Sequence, residues 1–304
     1  MKNLKTLKQL LIDSIPVEKF YAVLLGPDAV SWNGGDDVDI FCPIHNNQWR
    51  EKVGKSPSFS VSKKGSFKCW SASCGARGSN IVNFYEQYTG HPFRKALIRM
   101  YKKWIQPVIP LKKVEEWHQC LLDSPSVLRF IYEKRGLSKD TIKKHLLGFD
   151  GTRITIPIFD MFGLCVDVRR YDFTKQLARK IISYAKGYGH ARLYPIENLL
   201  GDSGPRIMLC EGEWDTLLAN QNGFRAVTVT SGAGGWPEDP KAVTYFRGKQ
   251  VRIVYDVNDV DKDGNQTDAG QVGALKVANL LAKVAKDVKI VKLPLKNAGG
   301  DITD

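Results

Sequence analysis

The chain has 304 residues, enough for two or three domains with buried cores, and a net charge of +13. It has no apolar run of about 18 residues and no signal-peptide core at its N-terminus. The sequence therefore predicts a soluble, cytoplasmic protein and excludes a membrane-spanning one. Residues 1–210 carry 33 Lys and Arg against 19 Asp and Glu, whereas residues 211–304 carry 12 against 13. This asymmetry favours a polyanionic partner, with a solvated basic face as the alternative.

An amphipathic helix is predicted at the start of the chain, and a cysteine-histidine motif follows it. Two residues separate Cys42 from His45, four separate Cys69 from Cys74, and 23 lie between the pairs. Thiolate and imidazole ligands in two close pairs suit tetrahedral zinc, and four protein ligands leave no open coordination position. In an intracellular chain, such cysteines are metal ligands more often than disulfides. The motif predicts a structural zinc site in a small zinc-ribbon-like domain.

The middle of the chain begins with a predicted linker, residues 105–110, where two prolines favour extended backbone. Short helices are predicted next, one of them capped by Ser138, and residues 153–171 predict a β-hairpin. Residues 151–210 carry 9 basic against 5 acidic side chains, which suggests a basic α+β subdomain. Three cysteines without partner spacing are interpreted as buried apolar side chains: Cys120, Cys165 and Cys210.

The last third of the chain alternates short apolar strands with helices, from RIMLC at 206–210 to DVKIVKL at 287–293. This alternation predicts right-handed crossovers and a mainly parallel sheet. Loops that follow parallel strands meet at one edge of the sheet. Five carboxylates follow the predicted strands and are expected to converge there: Glu211, Asp215, Asp256, Asp301 and Asp304.

Clustered carboxylates repel one another, so at neutral pH they need protons or a cation. Magnesium prefers a few oxygen ligands and bridges to phosphates, as phosphoryl-transfer chemistry requires. Any one of these residues alone could be an ordinary acidic residue in a solvated turn. Their joint pattern predicts a magnesium or manganese site.

Three segments of this region, EGEWD, YDVN and GGDITD, resemble the TOPRIM domain of bacterial and phage DNA primases. The resemblance implies that Glu211 and Asp215 are metal-binding carboxylates and that Asp256 is the first residue of an Asp-x-Asp motif. The second position of that motif is Asn258, whose carbonyl oxygen carries no charge. Either Asn258 is a weaker ligand, or Asp268 supplies the missing carboxylate.

The cysteine-histidine segment resembles the CHC2-type zinc-binding domain of the same primases, including residues 55–61 and 78–84. The spacing between Cys69 and Cys74 is longer than is usual in that family. The resemblance implies contact with single-stranded template, and five side chains suit phosphates or bases: Lys63, Lys64, Lys68, Trp70 and Arg77. Phe59 and Phe67 are either base-stacking residues or buried strand aromatics.

Residues 111–205 resemble the N-terminal half of a primase core. There the resemblance implies a basic patch that guides template and nucleoside triphosphates, formed by Arg169, Arg170, Lys180 and Lys186. The predicted organisation is thus a zinc-binding domain in 1–104, a linker in 105–110, a basic subdomain in 111–205 and a TOPRIM domain in 206–304. The predicted fold class is multidomain α+β and α/β, with a mainly parallel TOPRIM sheet flanked by helices.

The combined resemblance implies a DNA primase that makes short RNA primers on single-stranded DNA during replication. Its cofactors would be structural zinc and catalytic magnesium or manganese, the latter held by Glu211, Asp256 and either Asn258 or Asp268. Its partners would be single-stranded DNA, ribonucleoside triphosphates and a replicative helicase in cis or in trans, in the bacterial nucleoid or a phage-infected cell.

Two other functions compete with priming. The chain could be a non-catalytic module, for example from a mobile element, that binds single-stranded DNA and has lost activity through Asn258. It could also be a TOPRIM nuclease, although the preceding zinc motif favours priming. The chain is interpreted as either a fragment of a longer protein or a minimal enzyme.

Overall fold

The computed structural model describes residues 4–26, 35–45, 56–200, 204–257, 259–260, 266–295 and 302. It divides the chain into two compact units, residues 1–107 and residues 108–304, called unit 1 and unit 2 below. No helix in these described ranges combines the length and the apolar character that crossing a membrane requires.

Unit 1 combines helices with a small antiparallel sheet. Its sheet contains β1 (Asp37–Ile40), β2 (Phe59–Ser62), β3 (Phe67–Cys69) and β4 (Arg77–Gly78), paired in that order. Its helices are α1 (Leu4–Ser14), α2 (Val17–Leu25), α3 (Ile81–Thr89) and α4 (Phe93–Met100), which continues as a π-helical turn, Tyr101–Ile105. The N-terminal helix is amphipathic as predicted and buries Leu7 and Leu11.

Aromatic side chains form the core of unit 1. Phe59 and Phe67 stack with their ring centroids 5.6 Å apart, and both contact the ring of Phe84 edge-on. Gly78 is required beside them, because a Cβ atom there would lie 2.5 Å from the Phe67 ring. Phe59 and Phe67 are 0% and 4% exposed, so they are buried strand aromatics and cannot stack on bases.

The first part of unit 2 packs short helices beside an antiparallel sheet. The helices are α5 (Leu111–Leu122), α6 (Pro125–Arg135) and α7 (Lys139–Lys144). The sheet contains β5 (Gly148–Phe149), β6 (Ile154–Phe159), β7 (Cys165–Tyr171) and β8 (Ile181–Ile182), in that order. Ser138 caps α7 by accepting a hydrogen bond from the Thr141 N–H, as predicted. The predicted hairpin is formed by β6 and β7.

The second part of unit 2 is a five-stranded sheet with the order β15-β12-β10-β11-β9. Strands β10 (Arg206–Cys210), β11 (Ala226–Val229), β12 (Gln250–Val254) and β15 (Asp287–Ile290) are parallel, and β9 (Leu193–Tyr194) joins the edge antiparallel. Helix α8 (Glu213–Gln221) connects β10 to β11, and α9 (Ala269–Leu281) precedes β15. The shorter elements are 3-10 helices, Ile196–Leu199 and Pro240–Phe246, and a hairpin of β13 (Asp259–Val260) and β14 (Gln266–Thr267).

Alternate residues of the strands in this sheet form its apolar core. Ile207 and Leu209 on β10, and Val251 and Ile253 on β12, are at most 1% exposed and belong to one apolar cluster. Strands of this kind need cover on their faces, which the crossover helices supply. The multidomain α+β and α/β class and the mainly parallel, helix-flanked sheet are therefore as predicted.

Two details differ from the sequence expectations. The strand predicted over 287–293 ends at Ile290, and residues 291–295 belong to no helix or strand. Cys165 and Cys210 are buried as expected, but Cys120 is only partly buried, since it lies on the half-exposed face of α5.

Candidate functional site

The four residues of the cysteine-histidine motif converge in unit 1, and their ligand atoms all lie within 4.8 Å of one another. The Cys42 and Cys74 sulfurs are 3.9 Å apart, and the Cys69 sulfur is 3.8 Å from His45 Nδ1. Four ligands arranged tetrahedrally about an ion, with metal–sulfur bonds of about 2.3 Å, have edges of roughly 3.8 Å. The sulfurs are too far apart for a disulfide. The cluster therefore fits a single tetrahedral metal ion.

Strand pairing brings these ligands together. Cys42 follows β1, Cys69 ends β3, and β2 pairs with both strands through Phe59, which lies opposite Ile40 and Cys69. Between β3 and β4, the Cys74 N–H donates to the Ser71 carbonyl and closes a turn. This turn accommodates the long Cys69–Cys74 spacing.

The basic and aromatic residues predicted to contact template lie on the surface of unit 1. Trp70 is 64% exposed, its indole N–H donates to Ser60 Oγ at 2.8 Å, and Lys68 Nζ lies 3.7 Å from its ring centroid. Arg77 is opposite Lys68 in the β3–β4 pair. Lys63 and Lys64 are exposed, and Lys63 forms an ion pair with Asp36 at 3.6 Å.

In unit 2, Glu211 and Asp256 meet at the carboxyl edge of the parallel sheet. They follow neighbouring strands whose last residues, Cys210 and Val254, are in register. Glu211 Oε2 accepts a hydrogen bond from the Asp256 N–H at 3.2 Å, and Gln271 donates to the Asp256 carbonyl at 3.0 Å. The loop after β12 is therefore tied to the side chain that follows β10.

Asp215 closes the first turn of α8. Its Oδ2 accepts the Gly212 N–H at 3.1 Å, and Thr216 Oγ1 donates to the Gly212 carbonyl at 2.8 Å. A Cβ atom on Gly212 would lie 2.9 Å from Asp215 Oδ2, so a side chain at this position would disturb the cap. Asp215 is only 9% exposed but lines the same cleft as Glu211.

This cleft has a volume of about 270 Å³ and combines both signs of charge. Its walls include three of the predicted carboxylates and three cationic side chains: Glu211, Asp215, Asp256, Arg135, Arg169 and Lys180. Such a cleft can hold a cation and an anionic group side by side.

Glu213 also lines the cleft and was missed by the sequence analysis. It is 5% exposed, and its Oε1 accepts a hydrogen bond from Arg169 Nε at 3.0 Å. Burial raises the pKa of Glu213, although the Arg169 guanidinium acts in the opposite direction. The available signal was its position, two residues after Glu211 in the EGEWD segment.

Arg135 was also missed, because its partners are distant in sequence. Its guanidinium lies 5.1 Å from the Tyr171 ring centroid and 5.3 Å from that of Trp214. Tyr171 is on β7 and Trp214 is in the first turn of α8. These contacts fix an arginine at the wall of the cleft, and no local motif could have shown them.

The other predicted residues are not among those that line the cleft, or lie outside the described residues. Arg170 donates to Asp150 Oδ2 at 2.6 Å, Lys186 is exposed in the loop after β8, and Asp268 is exposed just before α9. Three predicted ligands lie outside the described residues: Asn258, Asp301 and Asp304.

Comparison with known proteins gives one similar sequence and several similar structures. No family model matches the chain. A DNA primase of Clostridium acetobutylicum is 22% identical over 326 residues, which covers 86% of this chain and 50% of the primase. The chain thus spans about half the length of the curated relative it matches.

Among solved structures, the zinc-binding and RNA polymerase domains of the Aquifex aeolicus primase match 100% of this chain and 81% of their own, with a TM-score of 0.50 and 19% identity. The chain has the fold of a bacterial primase. A primase domain from Pseudomonas aeruginosa gives a TM-score of 0.49 at 17% identity, covering 64% of this chain and 71% of its own.

Proposed function

We propose that the chain is a DNA primase that synthesises short RNA primers on single-stranded DNA during replication. The observation that carries the proposal is the meeting of Glu211 and Asp256 in a cleft that also contains Arg135, Arg169 and Lys180. Nucleotidyl transfer needs carboxylates for divalent cations and positive side chains for phosphates. The sequence similarity to a DNA primase over 86% of the chain supports the same function.

The cysteine-histidine cluster is proposed to hold zinc. Three thiolates and one imidazole at tetrahedral separations suit zinc better than they suit oxygen-preferring cations. Because four protein side chains fill a tetrahedral coordination shell, this zinc has no open position for a substrate. Its proposed role is to hold the ends of β1, β3 and β4 together in a template-binding unit.

The acidic edge of the TOPRIM-like sheet is proposed to hold catalytic magnesium or manganese. Its ligands would be Glu211, Asp215 and Asp256, completed by Asn258 or Asp268 and by Asp301 and Asp304. When bound by these residues, such an ion would supply the positive charge that favours attack of a 3′ hydroxyl on the α-phosphate and departure of pyrophosphate. The chain prepares for this by orienting the Glu211 and Asp215 carboxylates with backbone N–H groups.

Two basic surfaces are proposed to bind the polyanions. In unit 1, Trp70 would stack on a template base beside Lys63, Lys64, Lys68 and Arg77. In unit 2, nucleoside triphosphates and template would contact Arg169, Arg170, Lys180 and Lys186. A replicative helicase, in cis or in trans, is the proposed partner, and the bacterial cytoplasm or a phage-infected cell is the proposed setting.

The second candidate function is a non-catalytic module that binds single-stranded DNA. Asn258 favours it, because an amide replaces a charged ligand at one position of the metal motif. Such a module would retain both basic surfaces and would incorporate no nucleotides.

Template-directed incorporation of labelled ribonucleotides, on a mixed pool of single-stranded DNA with magnesium or manganese, tests the proposal. We expect Glu211→Gln to lower incorporation about a hundredfold or more, because a metal ligand supports several kcal/mol of transition-state stabilisation. Glu115→Gln, an exposed carboxylate on α5, is the matched control and should keep wild-type activity.

The outcomes separate the two functions. Short products from the wild type and Glu115→Gln, but not from Glu211→Gln, would support priming with a metal at this edge. Equal incorporation by all three proteins would refute the metal assignment. Absence of product from the wild type, together with salt-sensitive DNA binding, would favour the non-catalytic module. The affinity for single-stranded DNA should then fall by about 0.7 log units per log unit of salt concentration for each phosphate contacted.

A further inference from the structure

Arg169, proposed above to contact phosphates, forms a buried ion pair in the wall of the cleft with Glu213, which has no role in the function described so far. Arg169 on β7 and Glu213 at the start of α8 face each other, and their side chains are only 17% and 6% exposed. Arg169 Nε donates to Glu213 Oε1 at 3.0 Å, and Arg169 Nη1 donates to Ser183 Oγ at 3.0 Å. Two side chains from separate parts of unit 2 therefore fix one guanidinium group.

A buried ion pair is weak evidence for a stabilising role, because desolvation of both charges offsets much of their attraction. A pair of apolar side chains would fill the same space at no electrostatic cost. The position of the pair is more informative. Glu213 lies between Glu211 and Asp215 in sequence, and Arg169 lines the same cleft as these carboxylates.

The geometry leaves one edge of the guanidinium available. Its five N–H groups have a fixed planar arrangement, and two neighbouring nitrogens can bind a phosphate in a forked pair of hydrogen bonds. Nε and one N–H of Nη1 are used by Glu213 and Ser183. Nη2 has no hydrogen bond to any residue that the structure describes. The remaining N–H of Nη1 and the two N–H groups of Nη2 can therefore donate to an anion in the cleft that Arg169 lines.

We propose that Glu213 is a positioning residue that, with Ser183, aims the Nη edge of Arg169 at a phosphate group bound in the acidic cleft. The phosphate belongs to a nucleoside triphosphate or to the nucleic acid backbone, which share this chemistry. The inference rests on the proposed function for its setting. Glu213 acts only through Arg169 and does not touch the phosphate.

The place of Glu213 at the start of α8 also explains why a glutamate holds Arg169. At the first residue of a helix, a carboxylate interacts favourably with the N-terminal end of the helix dipole. It also balances the charge of Arg169, so that the arginine remains buried and ordered before a phosphate arrives. A charge-assisted hydrogen bond of this kind is directional, and an amide in its place is weaker.

The test measures binding of ATP by calorimetry and of a labelled single-stranded oligonucleotide by fluorescence anisotropy, in the full chain with magnesium. The variants are Glu213→Gln, Arg169→Ala, their double variant and Arg169→Lys. We expect each single variant to weaken binding of one of the two ligands about tenfold, since a charged hydrogen bond is lost or misdirected. The double variant should bind no worse than Arg169→Ala, because Glu213 acts through Arg169.

Asp287→Asn is the control. Asp287 pairs with Arg252 at 2.8 Å and starts β15, away from the carboxyl edge of the sheet, so this variant loses an arginine–carboxylate pair outside the cleft. It should bind both ligands as the wild type does. Thermal unfolding of each protein checks the fold. If Glu213→Gln does not fold, Arg169→Lys still tests the proposal, because lysine cannot bond Glu213 and Ser183 and also present a forked edge.

The two binding measurements separate the sources of the phosphate. Weaker ATP binding with unchanged DNA binding assigns it to the nucleotide, and the reverse assigns it to the nucleic acid backbone. Unchanged binding of both ligands in Arg169→Ala, or additive losses in the double variant, would overturn the proposal. A wild type that binds ATP through this pair but incorporates no ribonucleotide would contradict the primase function and leave the positioning role supported.

Discussion

The cysteine-histidine cluster of unit 1 and the acidic cleft of unit 2 are built in different ways. In the cluster, four ligand atoms from residues 42–74 lie within 4.8 Å of one another. In the cleft, side chains from residues 135–256 line an open space of about 270 Å³. The carboxylates of Glu211 and Asp215 are oriented there by backbone N–H groups.

This difference is the one expected if the cluster holds structural zinc and the cleft holds catalytic magnesium, as proposed above. A structural zinc site is closed by its own ligands and contributes to folding, whereas a catalytic magnesium site keeps positions open for water and phosphate. Removing the metal should therefore unfold part of unit 1 but leave the fold of unit 2 intact. The comparison can be tested at three levels, in decreasing order of effect.

The largest effect is expected from chelation of the metal in unit 1. Structural zinc contributes on the order of 10 kcal/mol to the folding of small domains, so its removal should unfold the sheet of unit 1. Hydrogen exchange should then become fast in residues 59–69 and stay slow in residues 154–171. Cys69→Ser should reproduce the effect, and the partly buried Cys120→Ser should retain one zinc per chain. Slow exchange in both units after complete metal removal would contradict the structural role.

A smaller effect on stability is expected from pH in unit 2. The group responsible there is a buried histidine, His145. Burial, assisted by Lys144, lowers the pKa of His145 from 6.5 to about 4. The unfolded chain binds a proton near pH 6.5 but the folded chain does not, so stability is full above pH 6.5 and falls as pH decreases toward about 4. The shift corresponds to about 3 kcal/mol of unfolding free energy.

Urea unfolding of the wild type and His145→Gln at pH 7 and pH 4.5 measures this effect. Glutamine has no titrating group, so the free-energy difference between the two proteins should shift in favour of the variant at the lower pH. The same difference at both pH values would show that His145 is not protonated more readily in the unfolded chain.

The smallest effect is expected at the surface of unit 1. Stacking of a base on an aromatic ring contributes about 1–3 kcal/mol, so Trp70→Ala should weaken binding of single-stranded DNA roughly 5- to 150-fold. The salt dependence should not change, because no charge is removed. Lys68→Gln should instead reduce the slope by about 0.7 log units per log unit of salt. Tyr88→Ala, a less exposed aromatic of the same unit, is the control. Equal loss of affinity in both aromatic variants would show that Trp70 has no special role.

Local patterns were sufficient for much of this molecule. The strand end at Cys210, the cap at Ser138 and the hairpin of β6 and β7 follow from apolar runs and capping chemistry that act over a few residues. The likeness of EGEWD to a known motif led to Glu211, but the same five letters gave no indication that Glu213 would be buried against an arginine 44 residues earlier.

The sequence by itself determined the ligand types, the order of the elements and the parallel sheet, because these depend on residue chemistry, spacing and short-range periodicity. Only the tertiary structure decided that Phe59 and Phe67 belong to a core and that Trp70 is exposed. It also decided that Arg169 is held by Glu213 and Ser183. Burial and ion pairing depend on which distant segments meet, and that is set by the packing of the whole unit rather than by any one stretch of chain.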